Sequence, residues 1–244
     1  MTALSVDFLI VLFAAVCLHR INWAGSEEQA VHRDYLSAES GKYIRGLLSM
    51  IVVFHHLARP AEGVVLLPIL GKVGYLAVAV FFFMSGYGLM VQYTGKPCYG
   101  KGFLLRRLPT ILIPYLLATV LYGVVYRILG EPWSVKAVWM GFVNGTPIVT
   151  ASWYIICIFL FYIAFKVLMG LCGTKHTCMI LGAMIYCGVY TGFCISMDYG
   201  SWWYNTVIVL VFGMAWALSE EKILGKSSSN SCAFCKHLCS ENTA

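Results

Sequence analysis

Charge is what this sequence has least of: only 11% of its 244 residues are Asp, Glu, Lys or Arg, where soluble domains carry about 25%. With 60% hydrophobic residues and a mean hydropathy of +0.78, a water-soluble fold is excluded, because 27.1 kDa offers too small a core to hide that much apolar surface. The seventeen Lys and Arg are scattered between apolar runs and form no basic stripe with interleaved aromatics, which excludes nucleic acid as a partner. There is no Walker loop, no GxSxG elbow and no HExxH helix. The ten Cys imply no disulfide framework: Cys17, Cys157, Cys172, Cys178, Cys187 and Cys194 lie in or beside apolar runs, where a thiol behaves as a small hydrophobe. In the tail, Cys232, Cys235, His237 and Cys239 are too cramped for a structural zinc site, which separates its ligand pairs by a dozen or so residues, so no metal is expected.

What is present is a series of long apolar runs. They predict an all-α polytopic transmembrane bundle of about seven spans, near residues 3–19, 43–59, 73–93, 109–129, 152–171, 177–195 and 202–219. The first run lacks a basic start and a small-x-small cleavage site, so it reads as a retained span rather than a signal peptide. The stretch 131–150 holds Lys136, Asn144, Gly145 and Pro147 and is too broken to cross. With these spans, thirteen Lys and Arg fall on one set of sides and four (Arg59, Lys72, Arg127 and Lys136) on the other. The excess marks the cytoplasmic side. The expected protein is a multi-pass cell-membrane protein with its N-terminus outside and its C-terminus in the cytoplasm.

Ionisable groups inside a span are functional candidates because each costs roughly 2.5 kcal/mol near the bilayer centre. In the second span, KYIRGLLSMIVVFHHLAR, Arg45 and His56 are eleven residues apart and fall within about 20° of each other on a helix. Ser49 lies near the same stripe, while His55 points about 80° away from Arg45. At 1.5 Å per residue His56 stands roughly 16 Å along the helix from Arg45. A neutral imidazole there can act as general base toward a hydroxyl; the alternative is a structural hydrogen bond to a neighbouring helix. The third span is rich in small residues, Gly71, Gly74, Ala77, Ser85, Gly86 and Gly88, which allow close helix approach. Its Ser85 is a candidate substrate-side hydroxyl or a back-bond to its own helix. Arg106 and Arg107 precede Pro109 and Pro114 and offer two guanidiniums to clamp phosphate, although the positive-inside bias also puts Arg there.

At these segments the sequence resembles the acyltransferase 3 family of integral membrane O-acyltransferases. RGLLSMIVVFHH is similar to the family's Arg followed eleven residues later by His, met here by Arg45 and His56. GYLAVAVFFFMSGYGLM is similar to its Gly-rich helix with a Phe-Phe-x-x-Ser-Gly core, and FLLRRLPTILIPY to its basic segment before Ile-x-Pro; Ser152-Trp153-Tyr154 resembles a later helix start. The basic segment departs from the family's Arg-x-x-Arg or Lys, since Thr110 stands three residues after Arg107.

The resemblance covers about residues 40 to 220 and implies three regions: an extra N-terminal helix and cytoplasmic loop (1–42), a partial acyltransferase membrane domain (43–219) and a polar cytoplasmic tail (220–244). The family core has about ten spans against six here after the extra one, so the polar end reads as a premature stop or shifted frame. The resemblance further implies transfer of an acyl group, commonly acetyl, from cytoplasmic acyl-CoA to a hydroxyl of a cell-surface glycan or lipid-linked acceptor. In that reading His56 and Arg45 are catalytic, Arg106, Arg107, Ser85 and Ser49 contact substrate, acyl-CoA is the donor, and no cofactor is needed. The alternatives are a non-enzymatic transporter on the same scaffold, with intramembrane His and Arg lining a path, and an inactive fragment.

Overall fold

The computed structural model describes residues 36–58, 67–131, 133–149 and 152–223, with residues 7, 8, 10–12 and 15. Among them the regular structure is helical: α1 (Ala38–Ala58), α2 (Leu67–Gly95), α3 (Phe103–Ile128), α4 (Val135–Val143), α5 (Trp153–Cys172) and α6 (His176–Ser196), then a short 3-10 turn at Ser201–Trp203 and a last helix α7 at 209–223. The chain is a multi-pass helical membrane protein. Four segments among the described residues are long and apolar enough to cross a membrane: Val73–Gly95, α3, α5 and α6.

That is fewer than seven, for three local reasons. The expected span 3–19 lies largely outside the described residues. The expected span 43–59 is helical to residue 58, but Arg45, His55 and His56, with Lys42 just before it, make this helix less apolar than the others. The expected span 202–219 is interrupted, because residues 201–208 turn before α7 begins. The stretch 131–150 is broken as its composition implies, with the nine residues of α4 as its helix.

The chain divides into two compact units, Met1–Met84 with Ala215–Ala244, and Ser85–Met214. In the first, α1 runs antiparallel to the start of α2: Gly41 sits against Met84, and the His55 ring lies flat on Gly74 at the other end. A side chain at Gly74 would overlap that imidazole, so the small residue is what lets the two helices approach.

In the second unit α5 is the central helix, burying Ile156, Phe161, Phe165 and Met169 against an α6 face of Met179, Ala183, Cys187 and Cys194. Gly182 of α6 meets Leu168, and Gly86 of α2 meets the backbone carbonyl of Leu210. By contrast α3 turns Ile113, Leu117, Val120, Leu121 and Val124 outward, as suits a helix whose solvent is lipid. Among the described residues cysteine departs from expectation in one place: Cys172 and Cys178 form a disulfide. α5 ends at Cys172 and α6 begins at His176, so the turn at Gly173 brings the two Cα atoms to 5.5 Å, within the range a disulfide spans. Cys157, Cys187 and Cys194 are free and buried, as apolar thiols are.

Two loops close the second unit at opposite ends of α3 and α5. Residues 144–149 are held by aromatic groups. Trp203 donates its indole N–H to the Gly145 carbonyl at 3.1 Å, and the Tyr199 hydroxyl donates to the Val143 carbonyl at 2.6 Å. Burial raises the Tyr199 hydroxyl above its ordinary pKa, which keeps the donor proton in place. Gly145 has φ 69° and lies beneath the Tyr199 ring. The other loop, 96–102, is described with the site.

Candidate functional site

The loop 96–102 joins α2 to α3 and is built on two aromatic anchors. Tyr99 is 7% exposed and Phe103 1%; the two rings meet edge to face at 5.4 Å between centroids, and Phe103 packs on Tyr162 and Phe165 of α5. Burying such rings contributes on the order of 2 kcal/mol each, which fixes the loop to the core. Its bends need unusual backbone: Cys98 has φ 56° and Gly102 φ 64°.

Cations then occupy three successive carbonyls. Arg106 donates from Nη1 to the Lys101 carbonyl at 2.6 Å and from Nη2 to the Tyr99 carbonyl at 2.9 Å. The carbonyl between them, Gly100, accepts from the Lys166 ammonium at 2.9 Å, a lysine that reaches along α5 toward the helix end as long basic side chains do in membranes. Arg107 donates to the Tyr99 hydroxyl at 3.0 Å. Thr110, where the sequence departs from its resemblance, donates its hydroxyl to the Arg107 carbonyl at 2.7 Å.

Above this loop lies a cavity of about 470 Å³, with Lys96, Arg106 and Arg107 among its lining residues and no carboxylate among the described ones. Tyr99, Cys98 and Thr110 also face it. The charge is uncompensated on a wider scale. Between Ser85 and Met214 the only acidic residues are Glu131 and Asp198; both belong to the opposite end of the unit, following α3 and α6. An open cavity with three cations and, among the described residues, no carboxylate in its lining attracts a polyanion, and a guanidinium with free N–H groups can bond phosphate bidentately. The structure thus brings Arg106 and Arg107 together. Sequence reasoning missed Lys96 and Tyr99, because Lys96 reads as one more cytoplasmic charge and Tyr99 as a loop aromatic.

The other candidate residues belong to the first unit, where Arg45, Ser49, His55 and His56 all ride on α1. Arg45 is exposed, with its guanidinium folded back toward Gly41. Ser49 donates to the Arg45 carbonyl at 2.8 Å, the back-bond common for Ser in membrane helices. The two histidines differ as their helical positions imply: His55 packs on Gly74, with Nδ1 buried and unpartnered among the described residues, while His56 is exposed. Their rings meet edge on at 5.3 Å. Ser85 is half-buried on α2, beside the Gly86 that the α7 backbone crowds. The tail residues Cys232, Cys235, His237 and Cys239 lie outside the described residues.

No curated protein and no solved structure matches this chain. A family model does, described as an acyltransferase domain and matching residues 42–232, a range that takes in α1 from Lys42 onward, Arg106 and Arg107 at the start of α3, and every described span. The chain belongs to the acyltransferase 3 family of membrane acyltransferases.

Proposed function

We propose that this chain transfers an acyl group, acetyl foremost, from cytoplasmic acyl-CoA to a hydroxyl of a cell-surface sugar or related lipid-linked acceptor. The observation that carries the donor half is the cavity lined by Lys96, Arg106 and Arg107 with no carboxylate among the described lining residues, which suits the diphosphate and phosphomonoester of a coenzyme A. The positive-inside bias supports a cytoplasmic position for this loop, an outside N-terminus and a cytoplasmic C-terminus.

In the transfer, His56 takes the proton as the acceptor hydroxyl oxygen attacks the thioester carbonyl. The C–S bond breaks, and the imidazolium returns the proton to the departing thiolate. Arg45 orients the reacting groups or holds phosphate. Ser85 and Ser49 are substrate-side hydroxyls, Ser49 only as an acceptor because its proton is engaged by the Arg45 carbonyl.

The donor half is tested through Cys98, a free and exposed thiol on the cavity wall. Coenzyme A and acetyl-CoA are expected to slow its alkylation in membranes containing the chain, and the Arg106→Gln, Arg107→Gln double variant to abolish that protection with insertion unchanged. An alkylation rate indifferent to millimolar coenzyme A would sink the donor reading. The chemical half is tested by transfer of label from acetyl-CoA: His56→Ala lowers it on the order of a hundredfold, whereas His55→Ala costs little because that ring's role is packing. The reverse ranking would remove His56 as the base.

A further inference from the structure

Four observations divide the labour among the three cations of the cavity. Arg106 already spends both ends of its guanidinium fork, Nη1 and Nη2, on the carbonyls of Lys101 and Tyr99. Arg107 is held at one point only, by the Tyr99 hydroxyl. Lys96 is exposed, faces the cavity, and makes no side-chain hydrogen bond or ion pair among the described residues. Finally, no carboxylate among the described residues lines the cavity to neutralise any of them.

A guanidinium whose two terminal nitrogens each hold a backbone oxygen, 2.6 and 2.9 Å away, is fixed in place with two of its five N–H donors committed, so it has fewer left for a phosphate than Arg107, held at one point. A lysine ammonium, by contrast, is a point charge with three donors, and an unengaged one beside a cavity keeps all of them for a ligand. We infer that Lys96 together with Arg107 makes the direct anion contacts of this cavity, and that Arg106 is a positioning residue that shapes the loop carrying Tyr99 and, through its hydroxyl, Arg107. The inference rests on the donor reading above and adds to it a ligand contact and a distinction between two adjacent arginines.

The two roles answer differently to conservative substitution. A contact made by charge tolerates exchange between Lys and Arg; a fork spanning two carbonyls does not, because one ammonium lacks the planar spacing of the guanidinium. Lys96→Arg therefore keeps affinity for coenzyme A within about twofold, while Lys96→Gln weakens it roughly tenfold, as expected for loss of one charge-assisted hydrogen bond. Arg106→Lys weakens binding nearly as much as Arg106→Gln. The salt dependence separates the roles a second time. Lys96→Gln flattens the fall of affinity with ionic strength because a screened charge contact is gone, whereas Arg106→Lys, which keeps its charge, leaves the slope as it was.

The experiment is equilibrium binding of radiolabelled coenzyme A to the whole purified chain, at low and at physiological salt. Lys175→Gln serves as a control, an exposed cation at the same end of the unit but outside the cavity, and is expected to bind as the parent does. Loss of affinity with Arg107→Gln but not with Lys96→Gln overturns this inference and leaves the donor reading standing. Equal losses with Lys96→Gln and Lys175→Gln also overturn it, since the effect would then be a diffuse field. Full affinity in Arg106→Lys removes the positioning role. If Lys96→Gln, Arg106→Gln and Arg107→Gln all bind coenzyme A normally, the donor reading itself falls.

Discussion

The two loops that close the second unit solve the same problem with opposite materials. At 144–149 the chain is held by rings: Tyr199 and Trp203 cover Gly145 and donate one hydrogen bond each to the carbonyls of Val143 and Gly145. At 96–102 it is held by charge, with Arg106 and Lys166 on three successive carbonyls. A neutral clamp fixes a backbone and leaves no net field. A cationic clamp fixes a backbone and leaves positive charge beside a cavity. The comparison explains how one loop can be only architectural while the other, under the proposed function, is architectural and a binding surface at once.

The broadest way to break the contrast is topology. A reporter fused after Gly100 is expected in the cytoplasm and one after Asn144 outside, an all-or-none difference read by compartment-specific reporter activity. The same side for both, or the reverse, would detach the charge asymmetry from acyl-CoA. Next come two glycines of similar conformation, φ 64° at Gly102 and 69° at Gly145. A Cβ at Gly145 would stand 2.7 Å from the Tyr199 ring, so Gly145→Ala is expected to destabilise by about 2–3 kcal/mol without altering coenzyme A affinity. A Cβ at Gly102 would stand 3.2 Å from Nη1 of Arg106. Gly102→Ala therefore costs only about 1–2 kcal/mol of stability and weakens coenzyme A binding several-fold through Arg106. Thermal unfolding in detergent paired with binding checks both, and equal affinity losses in the two variants would erase the distinction.

The smallest effect separates two tyrosines. Tyr99→Phe removes the hydroxyl that holds Arg107 and lowers coenzyme A affinity roughly threefold, about the worth of one hydrogen bond. Tyr199→Phe removes the bond to the Val143 carbonyl and costs about 1 kcal/mol of stability with affinity unchanged. A binding defect in Tyr199→Phe would mean that the ring-held end communicates with the cavity.

Much of this architecture is written in local composition. Apolar runs disclose α3, α5 and α6 because lipid demands twenty or so apolar residues of any spanning helix, and Asn144, Gly145 and Pro147 disclose the interruption beside α4. The different directions of His55 and His56 follow from 100° per residue alone. What stayed hidden needed contacts that only the folded backbone makes. Trp202 and Trp203 extend an apolar run in sequence, yet Trp203 turns to Gly145, fifty-eight residues away, and the helix begins only afterwards. Cys172 and Cys178 read as two small hydrophobes until the turn at Gly173 brings them together. At the cavity, Arg106 and Arg107 are indistinguishable as letters; only the carbonyls of Tyr99 and Lys101 tell them apart.

Those occupied carbonyls also bear on what the cavity rejects. A run of three peptide oxygens in a bent loop is the kind of oxygen-rich surface on which hard divalent cations settle. Here the oxygens of Tyr99, Gly100 and Lys101 already accept from Arg106 and Lys166, so the loop has exchanged an electronegative rim for an electropositive one. Arg106 and Lys166 repel magnesium from it, and under the proposed function the diphosphate of a coenzyme A meets the protein's own cations at this rim.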